Sequence, residues 1–151
     1  MKINIEFSKN IPKALLLLAD PSENMIEEYI QTGQCYLATN NDEIIGVIVL
    51  LKTRPKTMEI MNIAVKEEYQ KQGIGKQLIE FAICKAKKDN FNTLEIGTGN
   101  PAVHQLLLYQ KCGFRIVGID ADYFRRNYEE RIYENGIECR DMIRLKMDLT
   151  K

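Results

Sequence analysis

Polar and apolar residues alternate at the start of the chain, where Ile3, Ile5 and Phe7 are separated by polar neighbours. A period of two predicts a strand over Lys2 to Phe7 with one buried face. The period then changes. Pro12 suits a helix start, Leu15 to Leu18 supply an apolar body, and Asp20-Pro21-Ser22 breaks the chain. Ser22 is placed to cap a second helix that carries Met25, Ile26, Tyr29 and Ile30 and ends at Gly33. Cys35 to Thr39 and Ile44 to Leu51 read as a strand pair across an Asn40-Asn41-Asp42 turn. Lys56 to Val65 is the next strand. From Ile74 to Lys88 the spacing of Leu78, Ile79, Ala82, Ile83 and Ala86 predicts a long amphipathic helix. Asn92 to Gly97 is a short strand, and Pro101 to Cys112 a helix ended by Gly113. Phe114 to Ile119 and Ile137 to Leu149 are late strands, separated by the charged, aromatic segment Asp120 to Gly136, which closes on Asn135-Gly136.

That order predicts one mixed α/β (α+β) domain over residues 1–151, with about seven strands in a single sheet and about four helices. Antiparallel hairpins lie early and late, and strand–helix–strand crossovers lie between them. No internal repeat, low-complexity tract or linker interrupts it. Composition narrows the function. The chain has 151 residues, and Lys plus Arg equals Asp plus Glu at 21 each, so the formal net charge is zero. A broad nucleic-acid surface usually needs a basic excess, so no nucleic-acid partner is expected. The aliphatic runs Ile44 to Leu51 and Leu15 to Ala19 are too short to span a bilayer, and acidic Glu6 stands where a signal peptide would be basic or apolar. Cys35, Cys84, Cys112 and Cys139 form no CxxC pair. A cytoplasmic protein with free thiols and no membrane partner is the expectation. The one histidine, His104, has no metal-ligating companion and no nucleophile-elbow motif, so no metal site is expected; it reads as a surface or capping histidine.

Candidate chemistry concentrates in Gln70-Lys71-Gln72-Gly73-Ile74-Gly75-Lys76-Gln77, between a strand and a long helix. Glycines let backbone approach a ligand, and the first helical N–H groups lack intrahelical acceptors, so the segment reads as an anion cradle. It is not a Walker loop, because no glycine stands at 70 and Lys76 is followed by Gln77. Nor is it a dinucleotide fingerprint, because position 78 is Leu. What remains is Gln70-x-x-Gly73-x-Gly75, preceded by Asn62-Ile63-Ala64-Val65 and followed by Asn100 and Tyr109-Gln110-Lys111-Cys112-Gly113-Phe114. In that order and spacing the chain resembles the GNAT superfamily of N-acetyltransferases.

The resemblance implies a GNAT fold and acetyl-CoA as co-substrate. Backbone N–H groups of Lys71, Gln72, Gly73, Ile74, Gly75 and Lys76 would hold the pyrophosphate, with the Lys71 and Lys76 side chains either adding charge or simply solvating the helix start. The strand ending Ile63, Ala64, Val65 would splay from its neighbour and pair with the pantetheine arm, and the Val65 N–H would polarise the thioester carbonyl. Asn100 would bond to pantetheine, or else cap the following helix. Tyr109 is the candidate general acid, with an apolar-face aromatic as its structural reading. Glu59 is the candidate base, since strand alternation puts Glu59, Met61 and Ile63 on one face; an exposed or ion-paired glutamate is the alternative.

The implied reaction moves acetyl to a primary amine of a small molecule or peptide by direct transfer. A non-catalytic acetyl-CoA-binding module is the alternative, and a tRNA-acetylating enzyme of the same family sits poorly with the neutral charge. The acceptor would be met by residues around Met25 to Gln34 and by Asp120 to Arg144, where Tyr123, Phe124, Arg125, Arg126 and Tyr128 either line a pocket or decorate an exposed hairpin. Family members commonly dimerise through late strands, and Ile137 to Leu149 would serve for a homodimer.

Overall fold

The structure, a computed structural model, describes residues 1–151. In chain order its elements are β1 (Asn4–Phe7), α1 (Lys13–Ala19), α2 (Glu23–Ile30), β2 (Gln34–Asn40), β3 (Glu43–Arg54), β4 (Thr57–Val65), α3 (Ile74–Lys88), β5 (Thr93–Gly99), α4 (Val103–Lys111), β6 (Arg115–Asp120), α5 (Tyr123–Asn127), β7 (Tyr133–Glu134), β8 (Ile137–Glu138) and β9 (Met142–Asp148). Seven strands form one sheet in the order β1-β2-β3-β4-β5-β9-β6, and only β4 and β5 run parallel. The mixed, mostly antiparallel sheet agrees with the sequence pattern.

Local chemistry explains the elements that the pattern located well. Ser22 Oγ accepts the Met25 N–H and starts α2. Asn41 and Asp42 take positive φ, the geometry of the tight β2–β3 hairpin. Two cores lie on opposite sides of the sheet. On one, α3 sets Ile74, Leu78, Ile79, Ala82 and Ala86 against Ile48, Leu50, Ile60, Leu94 and Ile96, and Tyr109 of α4 joins them. On the other, Leu15, Leu16, Ile26 and Tyr29 of α1 and α2 cover Val47, Val49 and Ala64.

The five α-helices agree with the roughly four expected, the short α5 within the charged aromatic segment being one of them. Three expectations need correction. Phe7 is largely exposed, because β1 is an edge strand; Ile5, and Ile3 just before the strand, pack inward. Ile137 to Leu149 is not one strand. Asn135 and Gly136, both at positive φ, turn the small β7–β8 hairpin, and β9 starts only at Met142. β9 then pairs with β5 on one side and β6 on the other, so it offers no free edge for a partner.

The third correction bears on the site. Pairing of β3 with β4 runs Val49↔Asn62 and then Leu50↔Ile60, so Met61 is an extra, bulged residue. The bulge shifts the alternation by one. Met61 packs with the α1–α2 core while Ile63 packs with the α3 core. Glu59 and Met61 share a face, and Ile63 lies on the other.

Candidate active site

β4 and β5 pair from Thr57↔Thr93 to Ile60↔Ile96 and no further. Beyond Ile60 the two strands part, which leaves the β5-facing side of residues 61–65 without a neighbouring strand. A cleft of about 430 Å³ opens there. Ile63, Ala64, Val65, Lys71, Gly73, Ile74, Gly75, Lys76 and Tyr109 all line it, so most of the residues singled out from the sequence converge.

The loop between β4 and α3 is shaped for an anion. The Gln70 side-chain amide donates to the Val65 carbonyl at 2.9 Å and closes the turn. Lys71 and Gly73 take positive φ, and the first backbone hydrogen bond of α3 runs from the Gln77 N–H to the Gly73 carbonyl. The N–H groups of residues 74–76 therefore have no backbone acceptor, and the first turn carries no acidic residue. A Cβ on Gly73, which lines the cleft, would meet no protein atom within 4 Å.

Two expected residues lie elsewhere. Gln72 is exposed, does not line the cleft, and turns its side chain back to the Glu68 carbonyl. Asn100 is committed internally. Its Oδ1 accepts the N–H groups of Arg140 and Asp141, and its Nδ2 donates to the Glu138 carbonyl. It neither caps α4 nor lines either cavity; it ties the chain after β8 to the end of β5.

A second cavity, of about 470 Å³, lies on the other side of the parting strands. It shares Leu18, Ala19, Ile63, Gln105 and Tyr109 with the first. Tyr109 is buried, and burial pushes its phenol well above the ordinary tyrosine value, so it stays protonated. Glu59 lines the second cavity; its Oε2 accepts from Arg144 Nη1 at 3.0 Å. Arg144 also reaches Glu95 Oε1 at 3.4 Å, and Arg54 pairs with the other Glu95 oxygen. Burial alone would lower the Arg144 pKa, yet the hydrogen bond to Glu59 and the charges of Glu59 and Glu95 raise it overall. The guanidinium passes over Gly97, where a Cβ would lie 2.8 Å from Arg144 Nη1 and 2.5 Å from Met142 Sδ.

The rest of the second cavity comes from distant segments. Tyr123, Phe124 and Tyr128 line it, as one reading of the sequence had it. Arg125 and Arg126 point outward and pair with Glu138 and Asp120. Asp20, expected only as a chain break, is buried; it accepts hydrogen bonds from Tyr29 Oη at 3.1 Å, Tyr128 Oη at 2.8 Å and the Ser22 N–H at 3.2 Å. Burial, with the Asp20 charge adding to it, raises the pKa of both phenols. Asn62 donates to Tyr29 Oη and the Leu16 carbonyl, and its Oδ1 is the one buried side-chain polar atom without a partner. Gln105 and His104 were missed; both are exposed residues of α4, and His104 faces the first cleft. The only sequence signal for them was two polar residues heading an otherwise apolar helix.

The fold has known counterparts. The pattern of the Acetyltransferase (GNAT) family matches residues 9–114. The chain belongs to the GNAT family. It is 64% identical over 135 residues to the uncharacterized N-acetyltransferase YvbK of Bacillus subtilis, covering 89% of this chain and 87% of that one. Among solved GNAT structures, a Bacillus subtilis acetyltransferase in complex with CoA is 59% identical with a TM-score of 0.92, covering 97% of this chain and 99% of that one. An Elizabethkingia anophelis family member with acetyl-CoA bound is 52% identical with a TM-score of 0.95, covering 97% of each chain. No helix of this GNAT chain is long and apolar enough to cross a membrane.

Proposed function

We propose that this GNAT enzyme, an acetyl-CoA-dependent N-acetyltransferase, moves acetyl directly to a primary amine of a small molecule or peptide, with Tyr109 as general acid and Glu59 as base. The observation that carries the reading is the meeting of two cavities at Ile63 and Tyr109, where β4 and β5 part. One cavity has the backbone chemistry for a pyrophosphate, and the other is lined by side chains suited to an acceptor.

The residues present fit acetyl-CoA. The unpartnered amides of residues 74–76 suit the pyrophosphate, with Lys71 and Lys76 adding charge beside them. The unpaired side of residues 63–65 suits the amide-bearing pantetheine arm, with the Val65 N–H available to polarise a carbonyl. Acetyl-CoA supplies an activated acyl group on sulfur. Tyr109, kept protonated by burial, gives its phenolic proton to the sulfur as the carbon–sulfur bond breaks and the carbon–nitrogen bond forms. Glu59 Oε1, which has no protein partner, takes the proton lost from nitrogen, directly or through water. Arg144 holds the carboxylate in place.

Glu59→Gln tests the base. Amines are hardest to deprotonate at low pH, so the wild-type-to-variant rate ratio should grow as pH falls, reaching roughly 10- to 100-fold. A ratio that is flat across pH removes Glu59 as base and leaves it as an anchor for Arg144.

A further inference from the structure

The second cavity is bridged. Tyr128, at the end of α5, and Asp20, at the α1–α2 corner, are 108 residues apart in sequence and joined at 2.8 Å. Asp20 is also joined to Tyr29 and through it to Asn62 on β4. A continuous chain of hydrogen bonds thus runs from the outer arm, across the cavity wall, to its floor. We propose that the Asp20–Tyr128 bridge closes the cavity over a compact acceptor with one amino group on a ring-bearing apolar body, and excludes polyamines and peptide N-termini. This rests on the N-acetyltransfer reading of the same site.

Charge supports a single amino group. Glu59 is paired with Arg144, and Asp20 already accepts three hydrogen bonds. Glu134, exposed at the rim, is the one remaining lining carboxylate, and an exposed charge attracts a second ammonium only weakly. A polyamine would bury further charge with no partner there. The remaining surface suits a flat apolar body. Phe124 packs on Tyr123 at a centroid distance of 5.1 Å and on Tyr128 at 5.5 Å, and Met25 and Met61 face the same space. A volume of about 470 Å³ lies within the small-ligand range of roughly 300–1,000 Å³. By tying α5 to the α1–α2 corner, the bridge leaves less room for the backbone that follows a peptide N-terminus.

The test compares phenylethylamine, spermidine and an alanine-terminated tripeptide with saturating acetyl-CoA, in wild type and in Tyr128→Phe and Asp20→Asn. Wild type should favour phenylethylamine in kcat/KM by about tenfold or more, the factor set by a ~1.4 kcal/mol difference. Tyr128→Phe keeps the ring and loses the bridge. Its KM for phenylethylamine should rise about tenfold or more, as for one hydrogen bond to a carboxylate, while KM for acetyl-CoA stays within about twofold. The preference over the tripeptide should shrink in parallel, with Asp20→Asn moving the same way. Preferred turnover of spermidine or the tripeptide by wild type overturns the inference alone, as does a Tyr128→Phe enzyme of unchanged selectivity. Turnover of no amine, with acetyl-CoA binding intact by calorimetry, overturns the N-acetyltransfer reading as well.

Discussion

The two cavities that meet at Tyr109 are built in opposite ways. The first is a backbone site. Its anion-facing end comes from a strand end, a loop with positive φ at Lys71 and Gly73, and the unpartnered amides of one helix start, all within residues 63–76. The second is a side-chain site. Asp20 and Tyr29, Glu59 and Met61, and Tyr123 to Tyr128 reach it from three distant stretches of chain, held by Asn100, Arg144 and the Asp20–Tyr128 bridge. A backbone site tolerates almost any side-chain background but no change in dihedral angles. A side-chain site keeps its frame under substitution and changes its selectivity.

The largest expected effect falls where the halves join. Tyr109→Phe should lower kcat by roughly 10²-fold or more, the usual scale for a lost general acid, with little change in acetyl-CoA affinity measured by calorimetry. Equal activity would remove Tyr109 from the chemistry. Because its pKa is raised, the proton is present at neutral pH and is lost only above the ordinary tyrosine value of ~10. The wild-type rate should therefore show no alkaline fall from this group below about pH 10.

Next comes the backbone cradle. Gly73→Val puts a branched residue at a φ of +83°, a strain of about 1–2 kcal/mol. With a side chain also projecting into the cleft, CoA affinity should fall about tenfold or more, each tenfold step being ~1.4 kcal/mol. Gly75→Ala is the sharper control. Its Cβ would sit 3.6 Å from Leu108 Cδ2, an ordinary contact, so lost CoA affinity with unchanged thermal stability would report crowding of the ligand. If the cradle is a backbone device, replacing both Lys71 and Lys76 by Met should matter less. Exposed charges contribute about 0–1 kcal/mol each, so a loss of at most several-fold in CoA affinity, shrinking with added salt, is expected. A larger, salt-independent loss would mean that the side chains and not the amides hold the anion.

The smallest effect is chemical. Burial pushes the Cys35 and Cys139 thiols up to about 11, whereas Cys84 is exposed. Below that pH both buried groups remain thiols, and thiolate is the reactive form. Iodoacetamide at pH 8 should label Cys84 first and Cys139 only after unfolding. Early labelling of Cys139, which lines the second cavity, would mean that this side of the wall opens readily.

The lining of the first cavity was legible because its information is local. A strand, two glycines at fixed spacing and an amphipathic helix lie next to each other in the chain, and their dihedral needs can be read one residue at a time. Asn100 was misassigned there for want of one fact: the segment 138–141 returns to it from 40 residues away and takes up its side chain. The lining of the second cavity was legible only as composition. Tyr123, Phe124 and Tyr128 stood out as aromatic, but whether they faced a pocket depended on where α5 docks. Asp20 gave no signal beyond a turn.

By itself the sequence determined the succession of the main elements and the seven-strand sheet, since hydrophobic period, turn residues and helix caps act over a few residues. Only the tertiary structure decided which face Glu59 shares with which neighbours, because one bulged residue, Met61, reverses strand alternation and no local pattern marked it. It alone decided that Arg144 crosses Gly97 to reach Glu59, and that Tyr128 closes on Asp20. Those contacts join residues 85 and 108 positions apart, and they exist because the sheet and its helices have packed.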